Sequence, residues 1–259
     1  MSSSNLNNFK ITIITVCYNS EKTIKDTLES VKNQNFKNIE HIIIDGMSTD
    51  QTLFIVKKYP HIKKIISETD DGIYDAMNKG IEIATGHIIG FLNSDDLYVN
   101  NDVISKVVKE FKNDVSIDAC YSDLIYVDRH NTSKIIRYVK SSEFKENLFS
   151  KGWCPPHPTF FVRRIVYERL GKFDLKYKIA ADVDLMMRLL EKYKIKSRYI
   201  PEVWVKMRMG GTTNVKLKNI CLQNKEIFHS FNKNDLSVNY FKFFIYKIIS
   251  RAVQFLKKP

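Results

Sequence analysis

Paired cysteines are missing from this chain. Its four cysteines, Cys17, Cys120, Cys154 and Cys221, lie far apart, and none forms a Cys-x-x-Cys pair. That spacing argues against both a structural zinc site and a disulfide framework. Cys17 sits in an apolar run and reads as a buried thiol. Equally absent is any stretch of about 18 uncharged apolar residues, so no spanning helix is expected. Met1 to Asn8 is polar, without the apolar centre of a signal peptide, and a reducing cytoplasm is the expected setting. No internal repeat is visible, and no low-complexity linker divides the chain. Acidic residues are in deficit, 29 against 41 Lys and Arg, for a net charge of +12. That excess favours an anionic partner: a nucleotide, a phospholipid surface, a polyanionic substrate or nucleic acid. Of these, nucleic acid lacks any recognised binding motif.

What is present suits one folded α/β domain. The 259 residues are 44% hydrophobic and 27% charged, enough to bury a substantial core. The first half alternates strand and helix. Ile11 to Val16 is a β-branched run, with Asn19 and Ser20 as caps for a helix carrying Ile24, Leu28 and Val31. His41 to Ile44 is the second strand; Ser48 and Gln51 have capping-box spacing before Thr52, Ile55, Val56 and Tyr59. Ile65 and Ile66 mark a third strand. Ile73, Met77, Ile81 and Ala84 stripe a third helix, closed by Gly86. Ile88 to Leu92 is a fourth strand. This order predicts a mostly parallel, doubly wound sheet with right-handed crossovers. Beyond it, Asp102 is placed to cap a helix with Val103, Val107 and Phe111. Ala119 to Val127, Ile135 to Val139 and Ser197 to Val205 read as strands, and Asp182 to Tyr193 as an amphipathic helix. Trp153-Cys154-Pro155-Pro156-His157-Pro158 is a rigid loop, since its prolines fix φ.

The fourth strand ends in Asn93-Ser94-Asp95-Asp96. Ligands of open α/β sheets bind at the carboxyl ends of the strands, and two adjacent carboxylates there repel unless a cation lies between them. Oxygen ligands of this kind suit Mg²⁺ or Mn²⁺, although an Asp-Asp pair also serves as a turn. Three further stations fall at strand ends. Tyr18, after Val16 and Cys17, offers a ring for a nucleobase. Asp45-Gly46 offers an acceptor for a base N–H or a ribose hydroxyl. Glu68-Thr69-Asp70-Asp71-Gly72 adds more carboxylates. Each station alone is an ordinary turn; together they converge on one crevice.

The runs Ile13 to Asn19, Ile43 to Asp50, Asp71 to Gly80 and Phe91 to Asp96 resemble, in order, the family-2 glycosyltransferases. The resemblance spans roughly residues 9 to 214. It implies the GT-A fold, with a small mixed acceptor-side sheet, and inverting sugar transfer. The Gly72-Ile73-Tyr74-Asp75-Ala76-Met77-Asn78 run is closest to bacterial enzymes that build O-antigen or capsule repeat units. The resemblance implies a donor nucleotide held by Val16, Tyr18, Asn19, Asp45, Asp71, Gly72, Asn78, Ser94 and Asp95. Asp96 and Asp95 would hold Mn²⁺ or Mg²⁺ at the DXD position. Asn93 and Gly46 stand where many relatives carry aspartate. In Ala180-Ala181-Asp182-Val183-Asp184, alanine replaces the family's glutamate, leaving Asp182 as the implied general base and Asp184 in reserve, with Arg188 supporting it. Trp153 and His157, with Asp184, are assigned to the acceptor. Lys206, Arg208, Gly210, Gly211 and Thr212 resemble a flexible segment closing over the diphosphate.

The implied reaction transfers a hexose, galactose before glucose, from a UDP-sugar. The implied acceptor is an N-acetylhexosamine-diphosphate-polyprenyl lipid, joined through a β-1,3 linkage. Residues 1–214 form the expected catalytic domain. Residues 215–259 form a basic, aromatic helical tail, with Tyr240 to Lys247, Arg251, Lys257 and Lys258 suited to the inner face of the cytoplasmic membrane. The departures at Asn93 and Ala181 leave a catalytically silent UDP-sugar-binding protein as the alternative.

Overall fold

The computed structural model describes residues 9–210 and 217–256. β1 (Ile11–Cys17), β2 (Ile39–Asp45) and β4 (Ile88–Phe91) are buried almost throughout, as expected of parallel strands covered on both faces. β3 (Ile62–Ser67) alternates half-buried and exposed residues because it lies at the edge. Between these strands run α1 (Ile24–Lys32), α2 (Thr52–Val56) and α3 (Ile73–Ile83). α3 lies very close to β1: a Cβ on Gly80 would meet Ile14 Cγ2 at 2.5 Å, so only glycine permits the approach.

The sheet then changes direction. β5 (Leu97–Tyr98) and α4 (Val103–Asn113) precede β6 (Ala119–Val127) and β7 (Ile135–Val139). β8 (Phe161–Arg163) and α5 (Arg164–Leu170) follow, then α6 (Ala181–Met187), a π-helical turn over Arg188–Lys192, and β9 (Ser197–Arg208). Among the described residues the order is β3-β2-β1-β4-β8-β6-β9-β5, with β7 also on β6. β3, β2, β1 and β4 are parallel; β8 pairs antiparallel with both β4 and β6. The mixed part therefore continues the parallel part in one sheet. With β2 on one side of β1 and β4 on the other, the chain reverses its winding at β1, and a crevice opens at the carboxyl ends of β1 and β4.

Several local expectations are corrected. Neither Asn19, Ser48 nor Asp102 caps a helix through its side chain. Asn19 takes φ 46° and its Oδ1 accepts the Thr49 N–H, stapling the loops after β1 and β2. Asp50 Oδ1 accepts the Thr52 N–H at the start of α2. α4 is capped from a distance, by Gln34 Oε1 on the Ile104 N–H. Gly86 does not close α3, which ends at Ile83; a Cβ there would strike the Thr12 backbone N at 2.6 Å. Lys206 and Arg208 belong to β9, paired with Ile125 and Val127, and are not part of a flexible segment.

α7 (Leu217–Lys233) and α8 (Tyr240–Leu256) pack on the domain. Ile227, Phe231 and Phe243 join the main hydrophobic core. The Glu226 carboxylate accepts N–H bonds from Lys178, Ile179 and Ala180, so α7 holds the segment that leads into α6. Among the described residues no helix is long and apolar enough to cross a membrane.

Candidate active site

The crevice at the ends of β1 and β4 holds a cavity of about 580 Å³. Val16, Tyr18, Gly72, Ser94, Asp95, Arg208 and Gly210 line it, as the sequence predicted, joined by Asp70 and Arg129. Tyr18 is 64% exposed, a free ring at the cavity wall. Gly72 caps α3 at φ 118°, where a Cβ would meet no atom within 4 Å, so backbone conformation and not crowding selects glycine. Ser20 Oγ and Ser94 Oγ lie 2.8 Å apart and tie the β1 and β4 loops together.

The other predicted donor contacts lie elsewhere. Asp45 is fully buried: it accepts from the Ser48 N–H and hydroxyl and from the Ser67 hydroxyl. It organises the floor of the loop and shows no surface to the cavity. Asn78 spends its amide on Phe173, donating to the carbonyl and accepting the N–H, and so clamps α3 to the segment before α6. Asp71 is exposed and its N–H donates to Asp75, while the neighbouring Asp70 faces inward. A Cβ on Gly46 would lie 2.5 Å from Asp70 Oδ2. Asp70, from the loop after β3, thus fills the space that a side chain at position 46 would take. Gly211 and Thr212 lie outside the described residues.

Asp95 and Asp96 sit where burial disfavours charge. The Asp95 carboxyl is pushed up by burial, and Asp96, fully buried, is pushed well up by burial and then by Asp95. Asp96 Oδ1 and Asn93 Oδ1 are both buried without a hydrogen-bond partner. Two orphaned hard oxygens beside a second carboxylate fit a divalent cation, which commonly takes one or two carboxylates and completes its shell with substrate phosphate and water. No set of three or more His, Cys, Asp or Glu side chains able to hold a metal occurs among the described residues. Arg208 holds this loop in place: it donates to the Asp95 carbonyl at 3.1 Å and to the Arg129 carbonyl at 3.2 Å, and pairs with Asp26.

A second cavity, of about 500 Å³, shares Ile73, Asn93 and Met207 with the first and contains Asp182 and His157. A smaller lobe of about 260 Å³ continues from it past Trp153. Asp182 lies in the first turn of α6 but makes no cap; the Tyr74 hydroxyl sits 3.1 Å from its Oδ1 and 2.7 Å from the Ile179 carbonyl oxygen. The Gly72-Ile73-Tyr74 run thus serves both cavities. His157 stacks on Phe91, and its buried Nε2 has no partner; burial lowers its basicity, an effect that the Asp182 charge opposes. Asp184 is buried away from the cavities, accepting from the Ser230 hydroxyl at 2.6 Å with Arg188 at 3.8 Å. Its expected acceptor role is corrected to a structural one, because α6 directs alternate acidic residues to different faces.

Sequence reading missed Asp70, Arg129, Tyr74 and Glu226. Asp70 stood in a segment already singled out, one residue from the aspartate chosen there. Arg129 lies in a loop with no motif, and only folding brings it to Asp95.

The comparisons agree with this architecture. The family model described as Glycosyl transferase family 2 matches residues 12–171. A PGL/p-HBAD biosynthesis glycosyltransferase of Mycobacterium bovis (strain BCG / Pasteur 1173P2) is 30% identical over 207 residues, 78% of each chain. S. aureus TarS 1-349 in complex with UDP-GlcNAc superposes with a TM-score of 0.66 at 21% identity, covering 88% of this chain and 68% of that one. The mannosyltransferase PcManGT from Pyrobaculum calidifontis, in complex with GDP-Man and Mn2+, gives 0.63 at 19% identity over 95% and 69%.

Proposed function

We propose, for a chain that belongs to glycosyl transferase family 2 and has the GT-A fold, that it transfers a hexose from a UDP-sugar to a lipid-linked sugar diphosphate. The observation that carries this reading is the continuity of the two cavities: Asp95 lines one, Asp182 the other, and Ile73, Asn93 and Met207 line both. A donor lying across that junction would present its anomeric carbon to a hydroxyl entering from the Asp182 side.

In this reading the Tyr18 ring stacks on the uracil, while Asp70 and Gly72 face the nucleoside. Asp95 and Asp96, with Asn93 beside them, would hold Mn²⁺ or Mg²⁺, which offsets charge on the leaving diphosphate. Arg208 and Arg129 add positive charge at the same end. Asp182 accepts the proton of the acceptor hydroxyl as that oxygen forms its bond to the anomeric carbon and the bond to the diphosphate oxygen breaks. Attack opposite the leaving group inverts the centre, giving a β-linked product from an α-linked donor. Tyr74 holds the Asp182 carboxylate toward the cavity. Galactose is the first donor to try and glucose the second, with a β-1,3 linkage in O-antigen or capsule repeat-unit assembly.

The membrane surface belongs to the same reading. A surface helix ordinarily buries its apolar side and exposes its charges. α8 instead exposes Phe241, Ile248, Ile249 and Phe255, while Lys247 and Arg251 turn toward the acceptor-side cavity. An outward apolar stripe on a protein of net charge +12 fits the interface of an anionic bilayer, the inner face of the cytoplasmic membrane.

The test is a product assay by mass spectrometry with Mn²⁺, a panel of UDP-sugars, and GlcNAc- or GalNAc-diphosphate-lipid analogues. One hexose added, dependent on metal and lost in Asp182→Asn while UDP still binds, supports the proposal. UDP binding without turnover, from folded protein and across the whole panel, would overturn it.

A further inference from the structure

The acceptor-side cavity carries positive charge that lacks a dedicated counter-charge. Arg137 of β7, with Lys247 and Arg251 of α8, lines the same lobe as Asp182, His157 and Trp153. Arg137 and Arg251 also reach the neighbouring lobe, beside Lys178 and Tyr74. Among the described residues none of these three cations forms an ion pair with a carboxylate.

Arg137 and Lys247 are held instead by neutral groups. The Arg137 guanidinium packs 3.9 Å from the centre of the Tyr126 ring, and its buried Nε has no acceptor. Lys247 Nζ donates to Asn224 Oδ1 at 2.7 Å and lies 5.3 Å from the Phe243 ring. The strain of this grouping is visible in its charges. Burial, and then Arg251, lower Lys247 to about 8. Arg137 is lowered by burial first, with Arg251 acting in the same direction. Like charges gathered in a half-buried cleft are costly unless an anion joins them. Phosphate oxygens suit the task, since guanidinium and ammonium donors reach them through charge-assisted hydrogen bonds.

We infer that Arg137, Lys247 and Arg251 form a cradle for the phosphate or diphosphate of the acceptor, and that this anchor brings the acceptor's sugar hydroxyl to Asp182. The inference rests on the transferase reading and gives it a second anion site, separate from the one at Asp95, Arg129 and Arg208. Geometry favours the acceptor over a bilayer headgroup as the source of phosphate. Lys247 and Arg251 face the cavity that holds Asp182, whereas Phe241, Ile248, Ile249 and Phe255 on the outer face are apolar. A lipid chain leaving the cradle would meet that outer face.

The test is calorimetry on the full chain without metal. The probes are inorganic pyrophosphate and a GlcNAc-diphosphate-undecyl analogue, each titrated with and without saturating UDP. The wild-type protein should bind both probes whether or not UDP fills the donor side. Arg137→Gln with Arg251→Gln should weaken them about 100-fold, roughly tenfold for each charge removed. Arg251→Lys should restore part of the loss, and UDP affinity should be unaltered, showing that the fold and donor side persist. Equal probe affinity in wild type and double variant would overturn the cradle. So would loss of binding to phosphatidylglycerol vesicles with probe binding intact, which would assign the cluster to bilayer headgroups. Failure of UDP to bind the wild type counts against the donor reading alone, because the pyrophosphate titrations judge the cradle independently.

Discussion

Asp182 and Tyr74 show how much of this site depends on single hydrogen bonds. Replacing Asp182 by Asn keeps the shape but removes the proton acceptor, and transfer should fall by about 10²–10⁴-fold with UDP affinity unchanged. Tyr74→Phe removes the hydroxyl whose one proton is shared between the Ile179 carbonyl and Asp182. It should cost about tenfold in turnover, read as a fall in kcat without a rise in donor KM. Another residue-scale prediction concerns pH. His41 is fully buried, with Nε2 3.0 Å from Thr15 Oγ1; burial, and then His61, lower it from 6.5 to about 3. The unfolded chain takes up this proton near pH 6.5 and the native protein only near pH 3, so acid favours unfolding. The contribution is complete above pH 6.5 and is lost as pH falls, by about 1.4 kcal/mol per unit and about 2 kcal/mol by pH 5. Chemical denaturation at pH 7.5 and 5.0 should show a shallower pH dependence in His41→Gln. Residue types alone singled out the aspartate stations and Tyr18, whereas Asp182 came from the resemblance of its motif. Asp70, Asn78 and Asp184 were not, because which face a side chain takes depends on neighbours far away in sequence.

At the scale of elements, the segment leading into α6 is held by a residue 46 positions or more downstream. Glu226 accepts three backbone N–H bonds there, at 2.9 Å each. A buried carboxylate with three such partners makes Glu226→Ala costly, by about 3 kcal/mol. Thermal unfolding should show a Tm lowered by roughly 6–10 °C. Turnover should also fall at temperatures where the protein remains folded, because Asp182 follows directly on the segment that Glu226 braces. β9 shows the opposite error of reading. Its last residues looked mobile in sequence because basic residues lead into glycines, yet pairing with β6 through Arg208↔Val127 makes them a rigid wall of the crevice. The alternating first half was legible because periodicities of 2 and 3.6 are local properties. The helix caps were misread because side chains from other elements, such as Gln34, supply the bonds.

Across the whole molecule, the C-terminal helices build part of the crevice: α7 braces the segment leading into α6, and α8 lines the cavity that holds Asp182. The outer stripe of α8 gives a prediction separate from catalysis. Phe241→Ser with Ile248→Ser should weaken co-sedimentation with phosphatidylglycerol vesicles by at least tenfold, since each large apolar side chain withdrawn from water contributes about 1.5–3 kcal/mol. UDP affinity should stay unchanged. Equal sedimentation of variant and wild type would show that this face meets something other than lipid.

Local sequence alone determined the strand–helix alternation, the parallel half of the sheet and the placing of acidic residues at strand ends. Hydrophobic period, turn chemistry and motif order are all written within short windows. Tertiary structure decided which carboxylates face the crevice: Asp70 over Asp71, and Asp182 over Asp184. It also turned Lys247 and Arg251 of α8 toward the cavity that holds Asp182. These outcomes depend on packing between segments tens to more than a hundred residues apart, such as Glu226 on Ala180 and Arg208 on Asp95. A short window of sequence holds only one partner of each such contact.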